Sequence, residues 1–385
     1  MNKMCTITIC GDICPTKDTQ YFFEQHNIKA LFTNVLPTLK KADVLIGNLE
    51  FALTNKCSKV YKTGPILKAD TNFIKVFKST GFNALGLANN HIKDCGVEGV
   101  ISTLETCKNN NIATVGAGEN EVAAKKPLII EKNGFKIGLM AFAEHEFNAA
   151  YENEAGANLL DVYDDFDVIS NFKKEVDYLV ILYHGGIEYY QFPSPLLQKK
   201  CRKMIDSGAD MVTCQHSHCI GTKENYNNGT IVYGQGNTIF GYRKNGKSWN
   251  EGLLVKVDLN FDNGKLSSQT SYIPIVANEK GGINLITQQE SEELLTNFHE
   301  NSKKIQNRNF IKKSWDTFCD QKKALYFPHL FGLGRVLIHV NRLFKNKLIK
   351  IMYSSKKLRT TFNLIRCEAH NEVIQTILNN HKNNN

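Results

Sequence analysis

The chain has 385 residues, of which 42% are hydrophobic and 22% are charged, values ordinary for a soluble globular protein with one large domain plus an appendage, or two modest domains. Its eleven cysteines are scattered and form no Cys-x-x-Cys pair, which argues against a disulfide framework and a structural zinc module and favours a reducing compartment. The amino terminus lacks a signal peptide's apolar core, and no run of about 18 uncharged apolar residues occurs. We therefore expect a cytoplasmic protein without a transmembrane helix.

The net charge of +9 is distributed unevenly along the chain. Residues 300–385 contain 17 Lys/Arg and 5 Asp/Glu, a net charge of +12, which leaves 47 − 17 = 30 basic and 38 − 5 = 33 acidic residues elsewhere, a net charge of −3. This contrast predicts two parts, residues 1–285 and a basic, mainly helical extension over 286–385.

The first part reads as strands alternating with helices. Apolar runs of strand length occur at Thr6–Cys10, Val44–Ile46, Asn83–Leu87, Tyr178–Leu182 and Asp210–Cys214. Segments with helical periodicity lie between several of them, at Tyr21–Lys40, Thr71–Ser79, Val97–Asn109 and Pro195–Ser207. Asn133-Gly134 between two apolar runs predicts a β-hairpin. The alternation predicts an α/β fold with parallel β-sheets flanked by helices.

Polar groups follow the ends of these predicted strands. They are Asp12 in "GDICP", Asn48 and Glu50 in "GNLE", Asn90, His91 and Asp94 in "ANNHIKDCG", His184 and Glu188 in "YHGGIEYY", and His216 and His218 in "CQHSHC". In parallel sheets the functional groups lie beyond the carboxyl ends of the strands, so we expect these side chains to converge.

Carboxylate, imidazole and amide groups without paired thiolates suit a divalent transition metal such as Mn²⁺, Zn²⁺ or Fe. The predicted ligands are too many for one tetrahedral ion and about right for two ions, roughly 3.5–4 Å apart, that clamp a phosphate or carbonyl group. They are Asp12, Glu50, Asn90, His184, His216 and His218.

Each residue also has a purely structural explanation. A single buried histidine is usually hydrogen-bonded structure, Asp12 and Glu50 suit caps, and Asn48 and Asn90 suit left-handed turns. Asp94 precedes a predicted helix and suits its amino-terminal cap as well as a functional role. The ordered set of strand ends favours the metal site over these separate explanations.

As an ordered set the motifs resemble the CapA (poly-γ-glutamate capsule) family of the calcineurin-like metallophosphoesterase superfamily, over about residues 5–275. The resemblance implies a layered metallophosphoesterase-like fold with two metal sites. One site would consist of Asn90, His184 and His216, and Asp12 and His218 would bind the other ion. His91 would then face the substrate as general acid, with Asp94 orienting its imidazole.

The same resemblance places Glu188 and Tyr189 on the substrate side, where Glu188 could act as general base. Two positions depart from the superfamily pattern. Cys14 stands where the Asp-x-His motif has histidine, and Asn48 stands in place of the bridging aspartate. We predict Glu50 as the bridging anion, with Asn48, on the substrate side, as its rival.

The basic extension contains "LFGLGRVLIHVNRLFKNKLIKI" over 330–351, with apolar residues at helical spacing and basic residues between them. This pattern suits a helix packed on the catalytic domain, a basic amphipathic helix at an anionic membrane surface, or contact with an anionic polymer. No nucleic-acid motif with interleaved aromatic residues is present, so we expect no nucleic-acid partner.

Two functions are consistent with these features. The first is a metal-dependent hydrolase acting on a phosphoester or on an amide bond of an anionic polymer, linked to capsule or surface-polymer synthesis. The second is a non-catalytic assembly or scaffolding factor for surface-polymer synthesis that keeps the metal site.

Overall fold

The computed structural model describes residues 3–58, 60–330, 332, 334–345, 347 and 355–383. The chain divides into two compact units, Met1–Lys312 and Lys313–Asn385. All the site residues predicted from the sequence belong to the first unit.

The strands of the described residues all belong to the first unit. They are β1 (Lys3–Ile13), β2 (Val44–Leu49), β3 (Ala52–Leu53), β4 (Lys68–Ala69), β5 (Ala84–Gly86), β6 (Ala113–Val115), β7 (Ala117–Gly118), β8 (Leu128–Lys132), β9 (Phe135–Ala143), β10 (Gly156–Ala157), β11 (Tyr178–His184), β12 (Met211–Gln215), β13 (Lys223–Tyr226), β14 (Gly229–Val232), β15 (Asn237–Ile239), β16 (Glu251–Asp262), β17 (Lys265–Ala277) and β18 (Ile283–Leu285).

The α-helices run through both units. They are α1 (Gln20–Glu24), α2 (Ile28–Phe32), α3 (Leu36–Lys40), α4 (Ile74–Thr80), α5 (Gly96–Asn109), α6 (Glu121–Lys125), α7 (Asp165–Lys173), α8 (Pro195–Asp206), α9 (Lys247–Asn250), α10 (Gln288–Lys304), α11 (Arg308–Leu330), α12 (Arg335–Leu343), α13 (Ser355–Arg366) and α14 (Glu368–Asn383). Short 3-10 helices occupy Thr33–Val35 and Thr71–Phe73.

Two large sheets carry the predicted strands. In the first, the order is β18-β17-β16-β1-β2-β5-β6, and β15 also pairs with β1. Strands β1, β2, β5 and β6 are mutually parallel, whereas β16, β17 and β18 are antiparallel additions. In the second, the order is β13-β14-β12-β11-β9-β8, with β9, β11, β12 and β14 parallel. The parallel strands with helical crossovers confirm the predicted α/β class.

Alternate side chains of β11 show how the second sheet is covered. Val180 and Leu182 belong to the large core that also contains the apolar residues of β1 and β2. Leu179, Ile181 and Tyr183 point the other way, into a second core with α7 and α8. Side chains at i and i+2 of a strand share a face, so β11 is apolar on both faces. The first unit is therefore layered, with one core between the sheets and another under the helices.

The predicted helix over Tyr21–Lys40 is wrong, because the segment forms three short helices, α1, α2 and α3. His26 has a left-handed backbone with φ of 50°, and Asn27 caps α2 by accepting a hydrogen bond from the Ala30 backbone N–H. The side chain of Asn27 thus starts a new helix where the periodic pattern alone suggested continuation. The predicted hairpin is confirmed as β8 and β9, which pair antiparallel around Asn133-Gly134.

One disulfide corrects the expectation drawn from the cysteine spacing. Cys57 is bonded to Cys95, 38 residues away, and the other nine cysteines are free. The bond ties the loop after β3 to the residue that precedes α5. The sequence contained no sign of this pairing, since Cys95 lies in the motif "ANNHIKDCG" and Cys57 lies in none. The cysteine-based argument for a reducing compartment therefore loses its basis.

The second unit is helical in its described residues. Of the predicted helix over 330–351, Arg335–Leu343 is helical, and residues 331, 333, 346 and 348–351 lie outside the described residues. Within the described part of the chain, no helix has both the length and the apolar character that crossing a membrane requires.

Candidate metal centre

The carboxyl ends of neighbouring strands bring together the side chains contributed by the first sheet. The register pairs Asp12 of β1 with Asn48 of β2 on one side and with Asn237 of β15 on the other. Both pairings shift register close to Asp12, as expected where a bulge redirects a side chain next to a site. Glu50 follows β2 directly. Asp12, Asn48 and Glu50 are all buried.

The second sheet supplies three histidines from the ends of two adjacent strands. His184 is the last residue of β11, and His216 and His218 lie in the turn after β12. Both turn histidines have a left-handed backbone, with φ of 93° and 50°. The backbone N–H of His216 donates to Oδ2 of Asp12 at 3.0 Å. This bond holds the turn of the second sheet against the end of the first.

The ligand atoms form two groups that share one residue. Glu50, His184 and His216 make up one group, and Asp12, Glu50 and His218 make up the other, with the ligand atoms in each group within 4.8 Å of one another. Nδ1 of His218 lies 3.6 Å from Oδ2 of Asp12, and its Nε2 lies 3.9 Å from Oε1 of Glu50. Glu50 is therefore common to the two groups of residues that would hold metal ions.

Glu50 provides the test of whether these residues suit a metal. Its side chain is fully buried, and neither carboxylate oxygen has a hydrogen-bond partner among the described residues. Burial, then the nearby Asp12 carboxylate, raises the pKa of Glu50 well above its usual range. Leaving a buried polar group without a partner costs about 1–3 kcal/mol, and more when the group is charged. A divalent cation removes that cost, so the residues present fit one.

The imidazoles are in the form that binds metal. Burial and the neighbouring histidines hold the pKa of His184 well below its usual range and lower the pKa of His216 to about 3. Both rings are thus neutral at pH 7, the form in which imidazole binds a metal. Nδ1 of His216 is buried and has no hydrogen-bond partner in the described residues, which suits a ligand atom.

Three asparagines complete the inner surface of the cluster. Oδ1 of Asn90 lies 3.0 Å from Nε2 of His184, on the same side as Glu50. Asn48 donates from Nδ2 to Oδ1 of Asp12 at 2.8 Å and lies 3.2 Å from Nδ1 of His184. Asn89 donates to Oδ1 of Asn48. Asn48 is thus enclosed by candidate ligands, and its neutral amide positions Asp12.

His91 points its Nε2 at the cluster. That atom lies 4.0 Å from Oε1 of Glu50, while Nδ1 lies 2.7 Å from Oδ2 of Asp94. Asp94 also accepts a hydrogen bond from the backbone N–H of Leu67 and one from the buried ammonium group of Lys62. Both oxygens of Asp94 are engaged in this way, so it orients His91 rather than capping α5. A carboxylate partner at Nδ1 fixes the tautomer and the orientation of the imidazole.

Glu188 and Tyr189 lie on the loop after β11. Glu188 is half-buried, and its charge contributes to the raised pKa of Glu50. Tyr189 is 49% exposed, and its ring lies 6.4 Å from that of His218 and 6.2 Å from that of Trp249. The tyrosine therefore borders the site at its surface.

Sequence reasoning missed several residues of the site. Lys62 lies in a loop without a motif, and its contact with Asp94 spans 32 residues. Asn89 was not distinguished from the neighbouring Asn90. Asn237, whose Oδ1 lies 2.9 Å from Nδ1 of His218, follows the apolar strand β14 and has residue chemistry that suits a turn equally well. Its position after an apolar run was the one signal that pointed to it.

The cysteines around the histidines do not form a zinc knot. Sγ of Cys214 lies 3.5 Å from Sγ of Cys201 on α8, on the side of β12 that faces the second core. The partners of His216 and His218 come instead from β1 and β11 and from the loop after β2. The motif "CQHSHC" is therefore one part of a centre assembled from distant strand ends.

The family follows from residues 6–242, which match the model of the bacterial capsule synthesis protein PGA_cap. The chain belongs to this family. It is 30% identical over 253 residues to "Capsule biosynthesis protein CapA" of Bacillus anthracis, covering 62% of this chain and 60% of the relative. It is 33% identical over 236 residues to "PGA biosynthesis protein CapA" of Bacillus subtilis, covering 60% of this chain and 62% of that relative. The matches thus span about three fifths of these relatives.

A solved structure, that of a 5'-nucleotidase precursor from Thermus thermophilus, aligns with a TM-score of 0.42 and 14% identity, covering 77% of this chain and 58% of that chain. Similarity at this level says nothing about activity. The resemblance to the capsule-synthesis family that the ordered motifs indicated is thus confirmed by the family match.

Proposed function

We propose that this family member is a metal-dependent hydrolase that acts on a phosphoester or on an amide bond of an anionic polymer during surface-polymer synthesis. The observation that carries the proposal is the His91–Asp94 pair, with Nε2 of His91 directed at the candidate metal ligands. A cluster that served only to hold an ion in place would not need a carboxylate-oriented imidazole directed at its ligands.

The ligands would be Asp12, Glu50, Asn90, His184, His216 and His218, and Mn²⁺, Zn²⁺ or Fe²⁺ suits their nitrogen and oxygen donors. Bound ions would supply positive charge against the charge that develops on a phosphoryl or carbonyl oxygen. The chain's own contribution is a proton. His91 donates from Nε2 to the leaving oxygen or nitrogen, and Asp94 holds the ring in the orientation for this transfer.

Metal-dependent turnover is the test of this function. The full chain, loaded in turn with Mn²⁺, Zn²⁺ and Fe²⁺, is assayed against phosphomonoesters, phosphodiesters and γ-glutamyl oligomers, with a chelated sample as control. We expect turnover with at least one metal and substrate class, abolished by chelation and restored by the metal. If turnover equals that of the chelated sample for every combination of metal and substrate, the proposed hydrolase activity is wrong.

A second function, a non-catalytic assembly factor, is favoured by one observation. Asn48 occupies the position between Asp12 and His184 where an anion would add a further ligand. If the protein binds metal but hydrolyses no substrate in the assay, the neutral side chain of Asn48 explains why. The bound ions would then stabilise the fold and would not take part in catalysis.

We further propose that the second unit contacts an anionic membrane surface. Residues 313–385 contain 13 Lys/Arg and 4 Asp/Glu, a net charge of +9, and in the described helices apolar side chains such as Val336, Leu343 and Phe362 are 76%, 70% and 59% exposed. Basic residues beside exposed apolar ones are typical of a segment that lies at the interface of anionic lipids.

Vesicle binding measures this contact. Arg342→Gln combined with Lys345→Gln is expected to weaken binding of the full chain to phosphatidylserine-containing vesicles by about 1 kcal/mol per charge. Binding to purely zwitterionic vesicles is the reference. Lys29→Gln combined with Lys108→Gln removes two charges from the first unit as a control. Equal effects of the two double variants would contradict the proposal.

A further inference from the structure

A cleft of 1070 Å³ opens beside the metal centre, in the first unit. Its wall nearest the centre consists of Tyr189, Arg243 and Trp249, and its far wall consists of residues from α10. A volume of this size exceeds the roughly 300–1,000 Å³ of a usual small-molecule pocket. The cleft therefore has room for a substrate larger than the reacting group.

Trp249 connects the cleft to the metal ligands. Its ring lies 4.7 Å from that of His218, and its indole N–H donates to the backbone oxygen of Phe240 at 3.3 Å. Trp249 is 7% exposed, so its ring is held in place beside His218. The ring also contacts the guanidinium group of Arg243, whose central carbon lies 3.2 Å from the ring centroid.

Arg243 is held in place at both its backbone and its side chain. Its backbone N–H donates to Oδ1 of Asn250 at 2.9 Å, and its carbonyl accepts from Nδ2 of the same residue at 2.8 Å. Nη1 donates to the hydroxyl of Tyr189 at 3.3 Å. The stacked guanidinium still has further N–H donors in its plane, which a planar acidic group can engage in pairs.

The charges around the cleft show which ligand group fits. Lys247 lies 3.8 Å from Glu251, and the side chain of Glu290 closes the capping box of α10. The ion pairs of the described residues include none with Arg243, although it lines the cleft and lies next to the centre. The negative charges of Glu290 and Glu293 on the far wall would repel a second anionic group bound there. The cleft is therefore suited to one acidic group, at the end closest to the metal ligands.

We propose that Arg243, stacked on Trp249 and bonded to Tyr189, forms an anion subsite that binds one carboxylate or phosphate group of the substrate unit next to the reacting bond. This inference rests on the proposed function for the position of that bond. The binding itself does not require turnover, because the subsite consists of side chains outside the ligand set.

Calorimetry with the metal-loaded full chain tests the subsite. The probes are tri-γ-glutamate, its neutral amide form, and glycerol phosphate. Arg243→Gln is expected to weaken binding of an acidic probe about 10- to 100-fold, the usual effect of losing a charge-assisted pair of hydrogen bonds. Arg243→Lys restores the charge without the planar fork and recovers only part of the affinity. The matched control is Lys244→Gln, which removes one exposed charge from the same loop and leaves binding unchanged.

The two acidic probes distinguish the sources of the anion, since the one that depends more strongly on Arg243 identifies the group. Equal binding by Arg243→Gln and Lys244→Gln, equal affinity for the amide and the carboxylate, or no binding of either acidic probe by the wild-type protein would each overturn the subsite. If binding depends on Arg243 but no substrate is hydrolysed, the proposed hydrolase activity is wrong and the proposed anion subsite is supported.

Discussion

Replacing His91 by alanine is expected to lower turnover by about 10²–10⁴-fold, the usual effect of removing a general acid or base. The reason is geometric. Nε2 of His91 faces the centre 4.0 Å from Glu50, and Nδ1 is fixed by Asp94 at 2.7 Å. The metal content should be unchanged, because His91 belongs to neither group of metal ligands. Steady-state kinetics and elemental analysis on the same preparation measure both quantities.

His299→Ala is the matched control for His91→Ala, since it removes an exposed imidazole on α10 that does not line the cleft. Asp94→Asn is an intermediate variant that keeps the volume and loses the negative charge. It should lower turnover less than His91→Ala does, because the imidazole stays in place and loses only the carboxylate that orients it. Wild-type turnover in His91→Ala would remove this residue from the mechanism.

His184→Ala is expected to weaken metal binding by more than the about 10–100-fold typical of residues that only support a ligand. His184 ends a regular strand, so the change introduces no backbone strain, and its Nε2 lies close to both Asn90 and Glu50. His216→Ala should have a similar effect. An ion present at 100 times its dissociation constant stabilises the fold by about 2.7 kcal/mol, so both variants also lose the stabilisation that metal gives the wild type.

The double variant Cys214→Ser with Cys219→Ser is the control, because both cysteines flank the histidines in sequence and neither belongs to the ligand groups. It should retain metal even if repacking of the buried sulfurs lowers stability. Elemental analysis after reconstitution, combined with thermal unfolding with and without chelator, separates these effects. A metal content that depends on the cysteines and not on His184 would show that the centre is assigned wrongly.

The apolar runs in the sequence predicted the strands and the polar groups that follow them, because the residues of a strand themselves determine where it ends. The split into two sheets was not predictable in this way. Asp12 and His184 both follow apolar parallel strands, and only long-range packing assigns β1 and β11 to different sheets. The contact of Lys62 with Asp94 was hidden for the same reason, since it joins a loop to a turn that has no shared motif.

The charge pattern predicted the basic helical extension without locating where the compact units divide. Helix α10 belongs to the first unit, where Phe298 packs on Leu253 of β16. Trp249, on the short helix α9, and Arg243, in the loop before it, were also missed, because neither belongs to a strand-end motif. Their relation to His218 exists only in three dimensions.

The division of the ligands between two sheets has a consequence for how the protein opens. Asp12 and Glu50 come from the ends of β1 and β2, whereas His184, His216 and His218 come from the ends of β11 and β12. Neither sheet holds a complete ligand group by itself. An ion bound at this seam makes local opening of the two sheet edges a single cooperative event, with release of the ion as part of it. The rate of metal exchange thus reports how often the two sheet edges separate.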